Sequence, residues 1–143
     1  MDSHRELLNR IKENLPNLKA LLEEVNGHWY YEDLIYRFYH QSFKVYRIQE
    51  VTQKIVDTLK KLVPENETIN PFFEEILREG ASGKKFEYEH NNQWLRHARP
   101  MVEAFFHAKY FLEMAVKYGD LLETPPQVLP SGWAGLLYLY NLR

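Results

Sequence analysis

The chain has 143 residues, a formal net charge of −2 and no cysteine. Its length fits one domain able to bury a real core. The near-neutral balance argues against a nucleic-acid binder, which carries a basic excess on one face. The missing cysteine excludes disulfides, thiolate metal sites and a cysteine nucleophile. Met1 to Glu6 is polar, and the longest apolar run, Trp133 to Tyr140, is too short to span a bilayer. The expectation is a single domain over 1–143, cytoplasmic, with no membrane and no nucleic acid among its partners.

Ser3-His4-Arg5-Glu6 has capping-box spacing and predicts a first helix with the stripe Leu7, Leu8, Ile11, Leu15. Pro16 breaks or kinks the chain. A second helix carries Leu18, Leu21, Leu22 and Val25, and Asn26-Gly27 is expected to end it, with Gly27 as an αL cap. From Trp29 to Val63 there is neither Pro nor Gly. This stretch predicts one spine helix of about 50 Å at 1.5 Å per residue. Its stripe is Tyr31, Ile35, Phe38, Ser42, Val45, Ile48, Thr52, Ile55, Leu59, Leu62. A second stripe, Tyr36, Tyr39, Phe43, Tyr46, covers only the first half.

Pro64 stops the spine. Asn70-Pro71 suits the start of a short helix over Phe72 to Leu77, with Asn70 as N-cap. A second long helix is expected from Tyr88 to Tyr118, ending at Gly119 and kinked or divided at Pro100. Its stripe is Trp94, Ala98, Met101, Phe105, Ala108, Leu112, Ala115, widened by Leu95, Val102, Phe106 and Val116. Thr124 to Pro130 reads as a stiff connector. A last helix begins at Ser131; it is uncharged before Arg143 and apolar nearly all round, so it is either buried or meets another chain. The fold class is all-α: a single compact bundle of five or six helices, with two long core helices packed antiparallel and a buried C-terminal helix against both.

The residues that could carry chemistry are histidines and carboxylates at helical spacing. Glu103 and His107 are one turn apart on the second long helix. Such a pair can bind a metal or act as an oriented acid and base; it also serves as an ordinary surface hydrogen bond. His28 and Glu32 repeat the spacing, but acidic residues in a first turn are explained by the helix dipole alone. Glu87-Tyr88-Glu89-His90 contains one Glu-x-x-His, whereas a di-iron bundle needs two. His40 stands among Tyr36, Tyr39 and Phe43, either as a satisfied core histidine or as a ligand in an aromatic pocket for a metal or haem. His97 between Arg96 and Arg99 could meet an anion, or form a solvated basic turn. Gly80 to Lys85 lacks the Walker spacing, and no nucleophile elbow, zincin or dinucleotide motif is present.

The segments His28 to Asp33, Tyr36 to Val45 and Leu129 to Ala134 resemble those of small all-helical bacterial proteins of unknown function. The resemblance implies the fold class and a complete stand-alone cytoplasmic protein; it supplies no site residues. On the residues themselves, the leading expectation is a non-catalytic module that binds a protein partner or its own copies, given the excess of aromatics on two faces of the spine and the uncharged last helix. The competing expectation is a metal or haem pocket built by His40, His107 and Glu103 between the long helices. A hydrolase or nuclease comes last, for want of a paired catalytic motif.

Overall fold

A computed structural model describes residues 2–28, 46–64, 68–71 and 99–142. The described residues contain five helices: α1 Asp2–Glu13, α2 Leu15–His28, α3 Tyr46–Lys60, α4 Arg99–Leu121 and α5 Ser131–Leu139. No strand occurs among the described residues, and the helices form an all-α bundle. None of these helices is long and apolar enough to cross a membrane.

The apolar stripes select what faces inward. Leu7, Leu8 and Ile11 of α1, Leu18, Leu21 and Val25 of α2, and Phe105, Ala108, Leu112 and Ala115 of α4 are all buried. On α3 the expected Thr52, Ile55, Leu59 and Leu62 are buried, and Val51 and Val56 widen that stripe. At 100° per residue all six fall within less than half a turn, so this part of the spine is covered on one side. Trp29 to Val45 of the expected spine, with its second stripe apart from Tyr46, lies outside the described residues, as do Phe72 to Ala98.

α4 is the hub. It packs against α1, α2, α3 and α5, most extensively against α3, while α1–α2 and α2–α3 contacts close the bundle. Pro100 follows the first described residue of α4, and the kink or division expected there involves residues that lie outside the described ones.

Helix ends depart from expectation in three places. α2 continues through Asn26 and Gly27 to His28, so Gly27 is not its cap. α3 gives way after Lys60 to tighter turns, in which the Lys61, Leu62 and Val63 amides donate to the carbonyls of Thr58, Leu59 and Lys60. α4 does not stop before Gly119 but runs on to Leu121. Gly119 lies inside the helix because a neighbour comes too close for any side chain. A Cβ there would stand 2.7 Å from Ile11 Cγ2 and 2.9 Å from Leu15 Cδ1. The approach is locked by Lys12 Nζ, which donates to the Gly119 carbonyl at 3.1 Å, and by the Lys19–Asp120 ion pair at 2.7 Å. Both cations sit where the α4 dipole is negative.

Gly119→Ala is therefore expected to destabilise by about 1–2 kcal/mol, the overpacking cost outweighing the gain in helix propensity. The Leu15 methyl can swing aside, but Ile11 is β-branched and buried, so α1 itself has to move. Urea denaturation checks this, and an increase in stability would show that α1 and α4 do not approach so closely.

α5 starts at Ser131, as its sequence indicates, and buries Gly132, Trp133, Leu136, Leu137 and Leu139. Its end is a Schellman motif. Leu142 N donates to Leu137 O at 2.7 Å and Asn141 N to Tyr138 O at 3.1 Å. Asn141 takes the left-handed conformation, φ 56°, which Asn tolerates better than other non-glycine residues. Leu142, three residues past the end of α5, is buried, at the position where the motif commonly places an apolar residue. Beyond it, the Tyr140 hydroxyl donates to the Leu59 carbonyl at 2.9 Å and ties the chain's end to the end of α3. Asn70 N donates to Leu139 O at 2.7 Å, so the segment after α3 is fastened to the same corner.

Candidate functional site

Two surface features among the described residues can be weighed as sites. The first is a cleft of about 340 Å³ between α2 and α3. Asn14, Asn17 and Glu24 form one wall and Lys54, Thr58 and Lys61 the other, over Leu21. Most of its polar groups are already engaged. Lys54 Nζ donates to both Glu24 carboxylate oxygens at 3.0 and 3.3 Å. The Thr58 hydroxyl donates to the Lys54 carbonyl, and Asn14 Nδ2 to the Arg10 carbonyl, each at 2.8 Å. These bonds stitch α2 to α3 and close the α1–α2 turn. The ion pair is exposed and contributes about 0–1 kcal/mol. The cleft is a helix–helix seam whose groups point at each other, not at a common centre.

The second feature is the outer face of α4 with the flank of α5. The core stripe Phe105, Ala108, Leu112, Ala115 turns Glu103, His107, Tyr110 and Lys117 outward, and all four are exposed. Tyr110 is 43% exposed and Tyr138, on α5, is 54% exposed. The two helices meet closely between them: a Cβ on Gly135 would stand 3.6 Å from the Tyr110 hydroxyl oxygen. Tyr138 lies three residues beyond Gly135 and Ala134 lies beside it, so both neighbour this junction. Phe106 and Met114 are half-buried along the same side of α4. The result is a low apolar strip with two phenol tips, flanked by Glu103 at one end and Lys117 at the other. Lys117 Nζ lies 5.3 Å from the Tyr118 ring centroid, and Lys109 pairs with Glu113 at 3.7 Å.

The residues singled out by sequence fall as follows. Glu103 and His107 are together on α4 and both exposed. No group of three His, Cys, Asp or Glu side chains among the described residues is placed to hold a metal ion. Arg99 opens α4. Tyr36, Tyr39, His40, Phe43, Arg96 and His97 lie outside the described residues, and with them the convergence of His40 on His107. Sequence reading missed Tyr110 and Tyr138. Tyr110 carried a usable signal, since it is seven residues from both Glu103 and Lys117 and off the core stripe. Tyr138 carried a weaker one, because α5 is apolar on every side. His4, taken only as part of a capping box, is buried.

No family model matches the chain, and no curated protein or solved structure matches it either.

Proposed function

We propose that this chain is a non-catalytic, cytoplasmic interaction module that binds a protein partner through the outer face of α4 and α5. The observation that carries the reading is the exposure of Tyr110 and Tyr138 on adjoining helices, 43% and 54%. Tyrosine offers a large ring at low conformational cost together with a hydroxyl that stays paired when water leaves. Two such rings over a small-residue junction, edged by opposite charges, have the composition of an interface centre with a polar rim. The exposure of Glu103 and His107 supports this reading over a metal or haem pocket, whose ligands sit in shielded, shaped surroundings. The absence of cysteine accords with a reducing compartment.

Photo-cross-linking tests the proposal. A benzoylphenylalanine placed at 110 or 138 in living cells is expected to give discrete adducts. The same probe at Asn9 or Glu50, exposed on α1 and α3, is expected to give none. Adducts equal at all four positions, or absent from 110 and 138, would sink it.

A further inference from the structure

The exposed stripe of α4 is its own complement. Glu103, Tyr110 and Lys117 follow one another at seven-residue steps, so they share a face, with acid at one end, base at the other and the aromatic midway. We infer that the partner on this face is a second copy of the chain, its α4 running antiparallel across the first about a twofold axis at Tyr110. The inference deepens the interaction reading above and rests on it. In that register Glu103 of each copy faces Lys117 of the other, so one contact is made twice, as an isologous interface requires. The same axis sets Tyr110 against Tyr110, Phe106 against Met114 and His107 against Glu113. Phe106 with Met114 is apolar against apolar, the two Tyr110 rings can stack, and an imidazole N–H of His107 can donate to the Glu113 carboxylate. Phe106 and Met114, half-buried in one copy, complete their burial there. Tyr138 on α5 broadens the apolar centre to one side.

A parallel pairing of the same helices would set Glu103 near Glu103 and Lys117 near Lys117, and repulsion at both ends would oppose it. Within one copy the two residues stand about 21 Å apart along the helix, beyond any direct ion pair. A rescue between them can therefore arise only across two molecules.

Sedimentation of the full chain over a wide concentration range provides the test, on the wild type, Glu103→Lys, Lys117→Glu and the double exchange. The wild type is expected to show a monomer–dimer equilibrium. Each single reversal alters both symmetric contacts and weakens dimerisation by about tenfold, and the double exchange restores it to within about threefold. Melting curves confirm that each variant is folded. A second measurement exploits the absence of cysteine: Tyr110→Cys should oxidise to a disulfide-linked dimer, while Asn9→Cys should not. A wild type that stays monomeric, or a dimer indifferent to both reversals, overturns the self-pairing. If cross-links at 110 and 138 still carry a different protein, the interaction reading survives that loss; if those positions give no adducts, both fall together.

Discussion

Trp133→Ala is expected to cost about 3–5 kcal/mol, a large share of the about 5–15 kcal/mol that holds a small domain together. Trp133 is fully buried in the α4–α5 contact, and its ring meets Tyr118 edge-on at 5.8 Å and 81°. Gly132 lets it in: a Cβ there would fall 2.5 Å from Met114 Sδ and 3.0 Å from the Tyr118 ring. Among the described residues, however, the buried indole Nε1 meets no hydrogen-bond acceptor. A buried unpaired donor costs about 1–3 kcal/mol, so part of what Trp133 contributes by packing is offset by its own N–H. Trp133→Phe keeps an aromatic ring against Tyr118 and removes that donor. It is expected to cost less than half as much as the alanine, about 1–2 kcal/mol. Urea denaturation followed by circular dichroism decides: equal losses for the two variants would mean that the indole nitrogen is satisfied in solution.

Tyr140→Phe is expected to destabilise by about 1–2 kcal/mol, and Tyr140→Ala by about 3–5 kcal/mol. The phenylalanine removes only the hydroxyl that donates to Leu59 O at 2.9 Å. That carbonyl, in the last turn of α3, already accepts the Leu62 amide, so the hydroxyl occupies its second lone pair. The alanine also empties a fully buried site. Burial pushes the Tyr140 phenol well above its ordinary value of 10.0. The sign of the pH effect follows. Below about pH 10 both states hold the proton, and stability does not depend on this group. Above it the unfolded chain ionises while the folded chain keeps its phenol neutral, and stability falls by about 1.4 kcal/mol per pH unit. The advantage of wild type over Tyr140→Phe should therefore shrink as pH rises through about 10 and vanish roughly one unit higher. Denaturation of both proteins at matched pH values measures this, and a gap that stays constant would mean the phenol is solvated.

Much of the fold was legible because periodicity reports burial directly. Thr52, Ile55, Leu59 and Leu62 could be read as one covered side of α3, and Phe105, Ala108, Leu112 and Ala115 as the core face of α4, because steps of three and four have no other cheap explanation. Pro16 and Ser131 marked real helix boundaries through local backbone chemistry. The glycines misled for the opposite reason. Gly27 and Gly119 are as suited to a cap as to a close helix contact, and only the neighbouring helix distinguishes the two. The candidate site was less legible. Glu103 and His107 share an exposed face of α4 off its core stripe, and their spacing alone does not say whether any third group joins them. Tyr110 sits off the stripe, but an aromatic side chain suits a core as well as a surface, so residue type alone does not mark it. Tyr140 could not be singled out, since its partner is a backbone carbonyl 81 positions away.

That separation bears on how the chain reaches its native state. The contacts that close the bundle are among the most distant in sequence: Lys12 to Gly119 spans 107 positions, and α4, which every other described helix touches, is made after α1, α2 and α3. During synthesis the first three helices can pair with one another but lack the element that seals their apolar stripes. Contacts this distant in sequence form late, because loop-closure entropy opposes them before any burial rewards it, and the apolar stripes of the first helices stay exposed until then.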